Sequence, residues 1–185
     1  RAMGVLTDAG VDIVLMQCNT NYTGSPENLR FVNLRVLTQF ADLFPQAVLG
    51  LSDHTPGHVS TLGAIALGAR VSEKHFTDDT TRSGPDHGFS LDPVTWRAMV
   101  DDTRRLEASL GSGAKVVEEN EHLTEVLQRR CVRAARAIPA GTALSRADLL
   151  VLRPAPLDAV PAHDGGLVVG RVAADDLAEG QHVRW

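Results

Sequence analysis

Cysteine is nearly absent: Cys18 and Cys131 are the only two in 185 residues. Two thiols so far apart build neither a disulfide framework nor a zinc ribbon, so each reads as a small buried hydrophobe. Long apolar runs are missing too, and with no stretch of about eighteen uncharged apolar residues the sequence offers no membrane-spanning helix. The start, Arg1-Ala2-Met3-Gly4, does not have the basic-then-apolar layout of a signal peptide, and a cytoplasmic setting is the expectation. Basic excess is also lacking. A formal charge of -5 with scattered Lys and Arg argues against nucleic acid as a partner. At 43% hydrophobic residues the chain has what a core needs and carries no signature of disorder.

Strand-like and helix-like segments alternate over the first part of the chain. Ile13-Val14-Leu15-Met16 is a short continuous apolar run, the pattern of a strand buried on both faces, and it ends in the polar cluster Gln17 to Tyr22. Leu29, Val32, Val36, Phe40 and Leu43 recur at helical spacing, which predicts one amphipathic helix over 28–44, led in by Ser25-Pro26-Glu27 and stopped by Pro45. Ala47 to Leu51 predicts a second strand, and Gly57-His58-Val59 opens a small-residue helix through Leu67 that Gly68 closes. Val71-Ser72 begins a third strand. Asp92-Pro93 starts a further helix with Trp96, Met99, Val100, Thr103, Leu106 and Leu110 on one stripe, ended by Gly111-Ser112-Gly113.

Each strand hands polar residues to the loop at its C-terminal end, where parallel α/β folds place chemistry. Two such loops carry imidazoles: His54 in Ser52-Asp53-His54-Thr55, and His75 in Glu73-Lys74-His75-Phe76-Thr77. Histidines after neighbouring parallel strands joined by one crossover are suited to aim paired metal ligands at one pocket. Three strands cannot close a barrel. The expectation is therefore the C-terminal part of a longer (β/α)8 TIM barrel.

Beyond Gly113 the composition changes. A charged stretch, 114–128, reads as a linker with a helical piece, and 129–185 as a second, small β-rich domain. Within it Ala137 to Leu144 and Asp176 to Val183 echo one another, each an apolar residue, a turn ending in Gly, and a return to apolar. The first domain then covers 1–113.

The ordered series SDHT (52–55), EKHFT (73–77), Gly84-Pro85-Asp86-His87 with Ser90-Leu91, the pair Arg129-Arg130, Ile138-Pro139-Ala140-Gly141 and Arg153-Pro154 resembles the sialic acid synthase family. That resemblance spans nearly the whole chain and implies an α/β barrel followed by an antifreeze-like (SAF, β-clip) domain. It also implies a homodimer whose subunits swap those domains. The implied reaction condenses phosphoenolpyruvate with an N-acylhexosamine such as N-acetylmannosamine, giving a nonulosonic acid and phosphate.

Several residue roles follow from the resemblance. His54 and His75 would hold a divalent cation, Mn2+ or Mg2+, with the open coordination that two imidazoles leave. Asp53 and Glu73 flank those histidines as candidates either to support the metal ligands or to act as acid/base, Glu73 being the stronger. Lys74 is expected to turn away into an ion pair. Ser52 and Thr20 would contact phosphate, Thr20 standing where relatives have Asn or Ser; Gln17 and Tyr22 lie in the loop that meets both substrates. Asp86 would take the sugar hydroxyls, with His87 the weaker of that pair, and Arg153 would reach the N-acyl group from the swapped domain. After Arg153 this chain reads Pro154-Ala155-Pro156-Leu157 where relatives have two glycines. Asn19 and Asn21 suit turns, and Arg129 and Arg130 suit positioning of the linker. The lysines that neutralise phosphate in the family lie on earlier strands, so the 185 residues alone are expected to be inactive. Two other readings compete: a metal-dependent TIM-barrel hydrolase, and a non-enzymatic carbohydrate-binding SAF module.

Overall fold

The computed structural model describes residues 1–185 as two compact units, Arg1–Ala114 and Lys115–Trp185. The first is α/β. Helix α1 (Ala2–Asp8) leads into strand β1 (Val14–Cys18), and helix α2 (Val36–Leu43) precedes strand β2 (Val48–Asp53). Helix α3 (Val59–Ala66), strand β3 (Val71–Lys74) and helix α4 (Pro93–Ser109) follow. The three strands form one parallel sheet in the order β1-β2-β3, with Cys18 opposite Ser52 and Asp53 opposite Lys74 at its C-terminal edge.

Burial explains the order. Leu49 and Leu51 of β2 pack with Val32, Leu37, Ala64 and Ala69 in one core, with Leu34, Phe40 and Leu67 at its margin. Leu37 and Leu51 are fully buried, and a leucine so placed contributes roughly 2 kcal/mol from water exclusion. The central strand thus carries the core, and no residue of β1 is fully buried. This corrects the expectation of a first strand enclosed on both faces: β1 has a neighbour on one side only.

The expected single helix over 28–44 is also corrected. Ser25 does cap a helical turn, but Pro26–Phe31 is a 3-10 helix, and the α-helix begins only at Val36. Between them Asn33 adopts φ 50°, a left-handed conformation that Asn tolerates better than most residues. Leu29 and Leu43 of the expected stripe are exposed; Val32 of that stripe is buried, and so is Leu37, which lies outside it. A 3-10 turn followed by an α-helix satisfies the same three- and four-residue spacing as one continuous helix.

Helices α3 and α4 follow the sequence more closely. Gly68, at φ 99°, takes the left-handed position past α3. Asp92 and Thr95 form a reciprocal capping box at the start of α4, whose Met99 is buried and whose stripe from Trp96 to Leu106 is at least half-buried.

In the second unit a 3-10 turn (Glu119–Glu121) and helix α5 (His122–Gln128) precede strands β4 (Cys131–Ala134) and β5 (Leu149–Leu152), which pair antiparallel; helix α6 (Gly165–Val168) is a single turn. The echo segments pair with each other. Ile138 and Leu177 exchange both backbone hydrogen bonds at 2.8 Å, and flanking bonds recur at a constant offset of 39 residues (138 to 177, 141 to 180, 134 to 173): Gly141 N–H donates to Ala173 O and Gly180 N–H to Ala134 O. The module therefore has an approximate internal two-fold, closed over a core that includes Val132, Ile138, Leu144, Val160 and Val183. No helix in the chain is long and apolar enough to cross a membrane.

Candidate active site

The last two rungs between β2 and β3, and the residues just past them, build the site. Ser52 lies opposite Glu73 and Asp53 opposite Lys74, with His54 and His75 one residue further along. Side chains alternate faces along a strand, so Ser52 and Glu73 share one face with the two histidines while Asp53 and Lys74 take the other.

On the shared face the Ser52 hydroxyl donates to Glu73 Oε1 at 2.9 Å. The rings of His54 and His75 stand 5.0 Å apart, centroid to centroid, nearly perpendicular. Tyr22 lies against both, 4.1 Å from the His54 ring and 5.8 Å from that of His75. Its own ring is half-exposed, so it forms the open wall of the cleft.

A hydrogen bond orients the His54 imidazole. Nδ1–H of His54 donates to the Asn19 carbonyl at 3.0 Å, which leaves its Nε2 as the nitrogen with a free lone pair. His54 is 4% exposed, so little of the residue is open to water. His75 Nδ1 faces Asp86 Oδ2 at 3.6 Å, a separation longer than a hydrogen bond. Two rings at this separation can each place a nitrogen about 2 Å from one ion. No group of three or more His, Cys, Asp and Glu side chains converges as a ready-made cation cage, so the pair is an open donor set.

The β1 loop is shaped by its own side chains. Asn21 Oδ1 accepts from Thr23 N–H and its hydroxyl, and Asn19 Oδ1 accepts from Asn21 N–H, which makes both asparagines turn residues. Gln17 Nε2 donates to Val32 O at 2.9 Å and so ties β1 to the following segment. Thr20 is exposed at the tip.

Of the two roles expected for Asp53, its contacts in the last rung suit support of the histidines and not acid/base work. Lys74 Nζ sits 2.8 Å from Asp53 Oδ2, and both side chains are 1% exposed. The other carboxylate oxygen accepts from Thr55 N–H and its hydroxyl. With both carboxylate oxygens engaged on the face away from the imidazoles, Asp53 is turned away from a ligand bound there, and Lys74 is in the between-strand ion pair foreseen for it.

Two neighbours of the site carried no recognisable signal in the sequence. Phe89 is buried with its ring 5.1 Å from His75, and a Cβ on Gly24, at φ 65°, would lie 2.8 Å from Phe89 Cβ. His87 serves the fold: its Nδ1 meets the Thr77 hydroxyl at 2.7 Å. Arg153 lies in the second unit and is exposed, and Arg129 bridges back to Glu125 within α5.

A model of the NeuB family matches residues 1–115, and one of the SAF domain matches 129–185. An N,N'-diacetyllegionaminic acid synthase of Legionella pneumophila is 36% identical over 94% of this chain and 47% of its own length. The human N-acetylneuraminate-9-phosphate synthase is 35% identical over 84% of this chain and 42% of its own. Among solved structures, the spore coat polysaccharide biosynthesis protein spsE of Bacillus subtilis superposes with a TM-score of 0.54 at 29% identity, over the whole chain and 55% of that protein. The chain thus spans about half the length of the curated relatives it matches.

Proposed function

The chain belongs to the NeuB family and ends in a SAF domain, and from that membership we propose that it is the C-terminal part of a (β/α)8 barrel with its appended domain, in a synthase of the sialic acid type. The reaction joins the enol carbon of phosphoenolpyruvate to the aldehyde carbon of an open-chain N-acylhexosamine such as N-acetylmannosamine. Water enters, phosphate leaves, and a nonulosonic acid results. The observation that carries the reading is the pair of same-face couples, Ser52 with Glu73 and His54 with His75, roofed by Tyr22 and flanked by Asp86.

His54 and His75 would hold Mn2+ or Mg2+ through their outward nitrogens. When bound, such an ion supplies Lewis-acid polarisation of the aldehyde oxygen. The protein's own groups do the rest. Glu73, hydrogen-bonded by Ser52, is the carboxylate within reach of proton transfer at that oxygen, and the Ser52 hydroxyl is available to a phosphate oxygen. Thr20 contacts the same phosphate from the β1 loop. Tyr22 shields the reacting carbons from water and packs on the imidazoles. Asp86 accepts hydrogen bonds from sugar hydroxyls, and Arg153 reaches the N-acyl group from the SAF domain of a partner in a swapped homodimer. A cytoplasmic setting supplies the phosphorylated enol.

The test is phosphate release from phosphoenolpyruvate by the complete protein with Mn2+, against N-acetylmannosamine, its 6-phosphate and di-N-acetylated hexoses. Release with one sugar, abolished by chelation, is the expected result. Absence of release with every sugar would overturn the reading.

A further inference from the structure

Asp53 and Lys74 form the last backbone-paired rung of β2 and β3, and the two imidazoles are the first residues past it. The pairing of β2 with β3 therefore ends one residue before the groups whose separation matters most, and past it the His75 carbonyl accepts from Leu91 N–H at 2.9 Å rather than from β2. What continues past the ladder is a side-chain network on the opposite face. Lys74 Nζ bonds Asp53 Oδ2 at 2.8 Å and Thr55 O at 2.6 Å; Asp53 Oδ1 accepts from Thr55 N–H at 3.0 Å and its hydroxyl at 2.8 Å. The Thr55 hydroxyl also lies 3.2 Å from that of Ser60, in the first turn of α3. All four residues are buried, so the network spans β2, β3, the β2–α3 loop and α3 out of reach of solvent.

We infer that this network is a positioning device that sets the spacing of the His54–His75 pair and thereby tunes cation affinity; the inference rests on the metal role proposed for those histidines. A buried ion pair is a poor source of net stability, since apolar groups of similar volume often replace it without loss. What apolar groups cannot reproduce is directional bonding. The Lys74 ammonium ties the backbone on the far side of His54, at Thr55 O, to the residue before His75, so the imidazole-bearing loops move together. Asp53 closes the Thr55 turn around His54 from the other oxygen. Neither residue touches the ion or the substrates; both act through the two histidines.

The experiment compares the complete protein with the double variant Asp53→Leu/Lys74→Met, which removes both charges and leaves neither buried alone. Mn2+ binding is read from loss of the free-ion electron paramagnetic resonance signal, and melting is followed without metal. The expected result is a metal-free melting temperature close to that of the parent and a Kd for Mn2+ weakened about 10–100-fold, the range typical of lost support behind metal ligands. Phosphate release should show the matching split, with a raised KM for Mn2+ and kcat recovered at saturating metal. A Kd within about twofold of the parent, in a variant that folds, overturns the inference. Should the double variant not fold, Thr55→Val decides instead: it removes only the hydroxyl, and an unchanged Mn2+ Kd overturns the inference while a weakening of about threefold supports it. A parent that neither binds Mn2+ nor releases phosphate overturns the proposed function and this inference together. A parent that does both, with a variant that matches it, overturns the inference alone.

Discussion

One hydrogen bond decides which nitrogen of His54 faces the cleft. Because a carbonyl only accepts, the Asn19 oxygen fixes the proton on Nδ1, and Nε2 is left to act as a ligand. An isolated His past a strand would more often bond backbone with no further role. Here the backbone bond and a second ring 5.0 Å away occur together, so the structural contact prepares the chemical one. His54→Ala or His75→Ala in the complete protein should lower metal-dependent phosphate release by about two orders of magnitude or more, because several kcal/mol of charge stabilisation at the aldehyde oxygen are lost. Normal Mn2+-dependent rates in either variant would remove that residue from the ligand set. The neighbouring carboxylates teach the opposite lesson: Asp53 and Glu73 look alike in the sequence, and strand alternation sends one into a buried ion pair and the other to the site face.

At the scale of elements, caps and turns show how local chemistry was read. Asp92-Pro93 announced α4 because an aspartate before proline supplies both the cap and the fixed φ of the first helical residue. The segment 28–44 misled because periodicity does not distinguish one helix from a 3-10 turn, a left-handed Asn33 and a shorter helix. In the SAF domain a comparable cap titrates. Asp148 is buried, and its carboxyl is held below the ordinary carboxylate value first by the Ser145 hydroxyl, then by the Ser145 N–H and the Arg136 guanidinium. A lowered folded-state value means that its contribution to stability is present above the unfolded value near 3.8 and disappears as pH falls through the folded one. Exchange of the buried Val132 and Val183 amides should therefore accelerate as pH drops below about 4, after correction for intrinsic exchange. Asp148→Asn should flatten that acid dependence. A dependence equally steep in the variant would assign it to other groups.

At the scale of the whole molecule, the proposed exchange of SAF domains between two subunits makes a prediction that one polypeptide cannot. A mixed dimer of one His54→Ala subunit and one Arg153→Ala subunit has, if the SAF domains are exchanged, one site with both residues intact. At sugar concentrations below KM, where Arg153→Ala alone is impaired through its sugar affinity, the mixed dimer should regain about half the activity of the parent per dimer. Activity no higher than that of the Arg153→Ala homodimer at matched site concentration would mean that each SAF domain serves its own subunit.

The sequence by itself determined the alternation of strands and helices, the loops that carry the imidazoles, and the family, because periodicity, caps and ordered motifs are local properties of the chain. It also marked the echo segments whose mutual pairing gives the SAF domain its internal two-fold. Tertiary structure alone decided the rest. That Ser52 stands opposite Glu73, that the Asp53–Lys74 pair backs the histidines, and that Phe89 closes on His75 across Gly24 depend on register and on loops meeting at a distance. The physical reason is that a β-ladder joins residues 21 positions apart in this chain, Asp53 to Lys74, and no local preference of either residue encodes its partner.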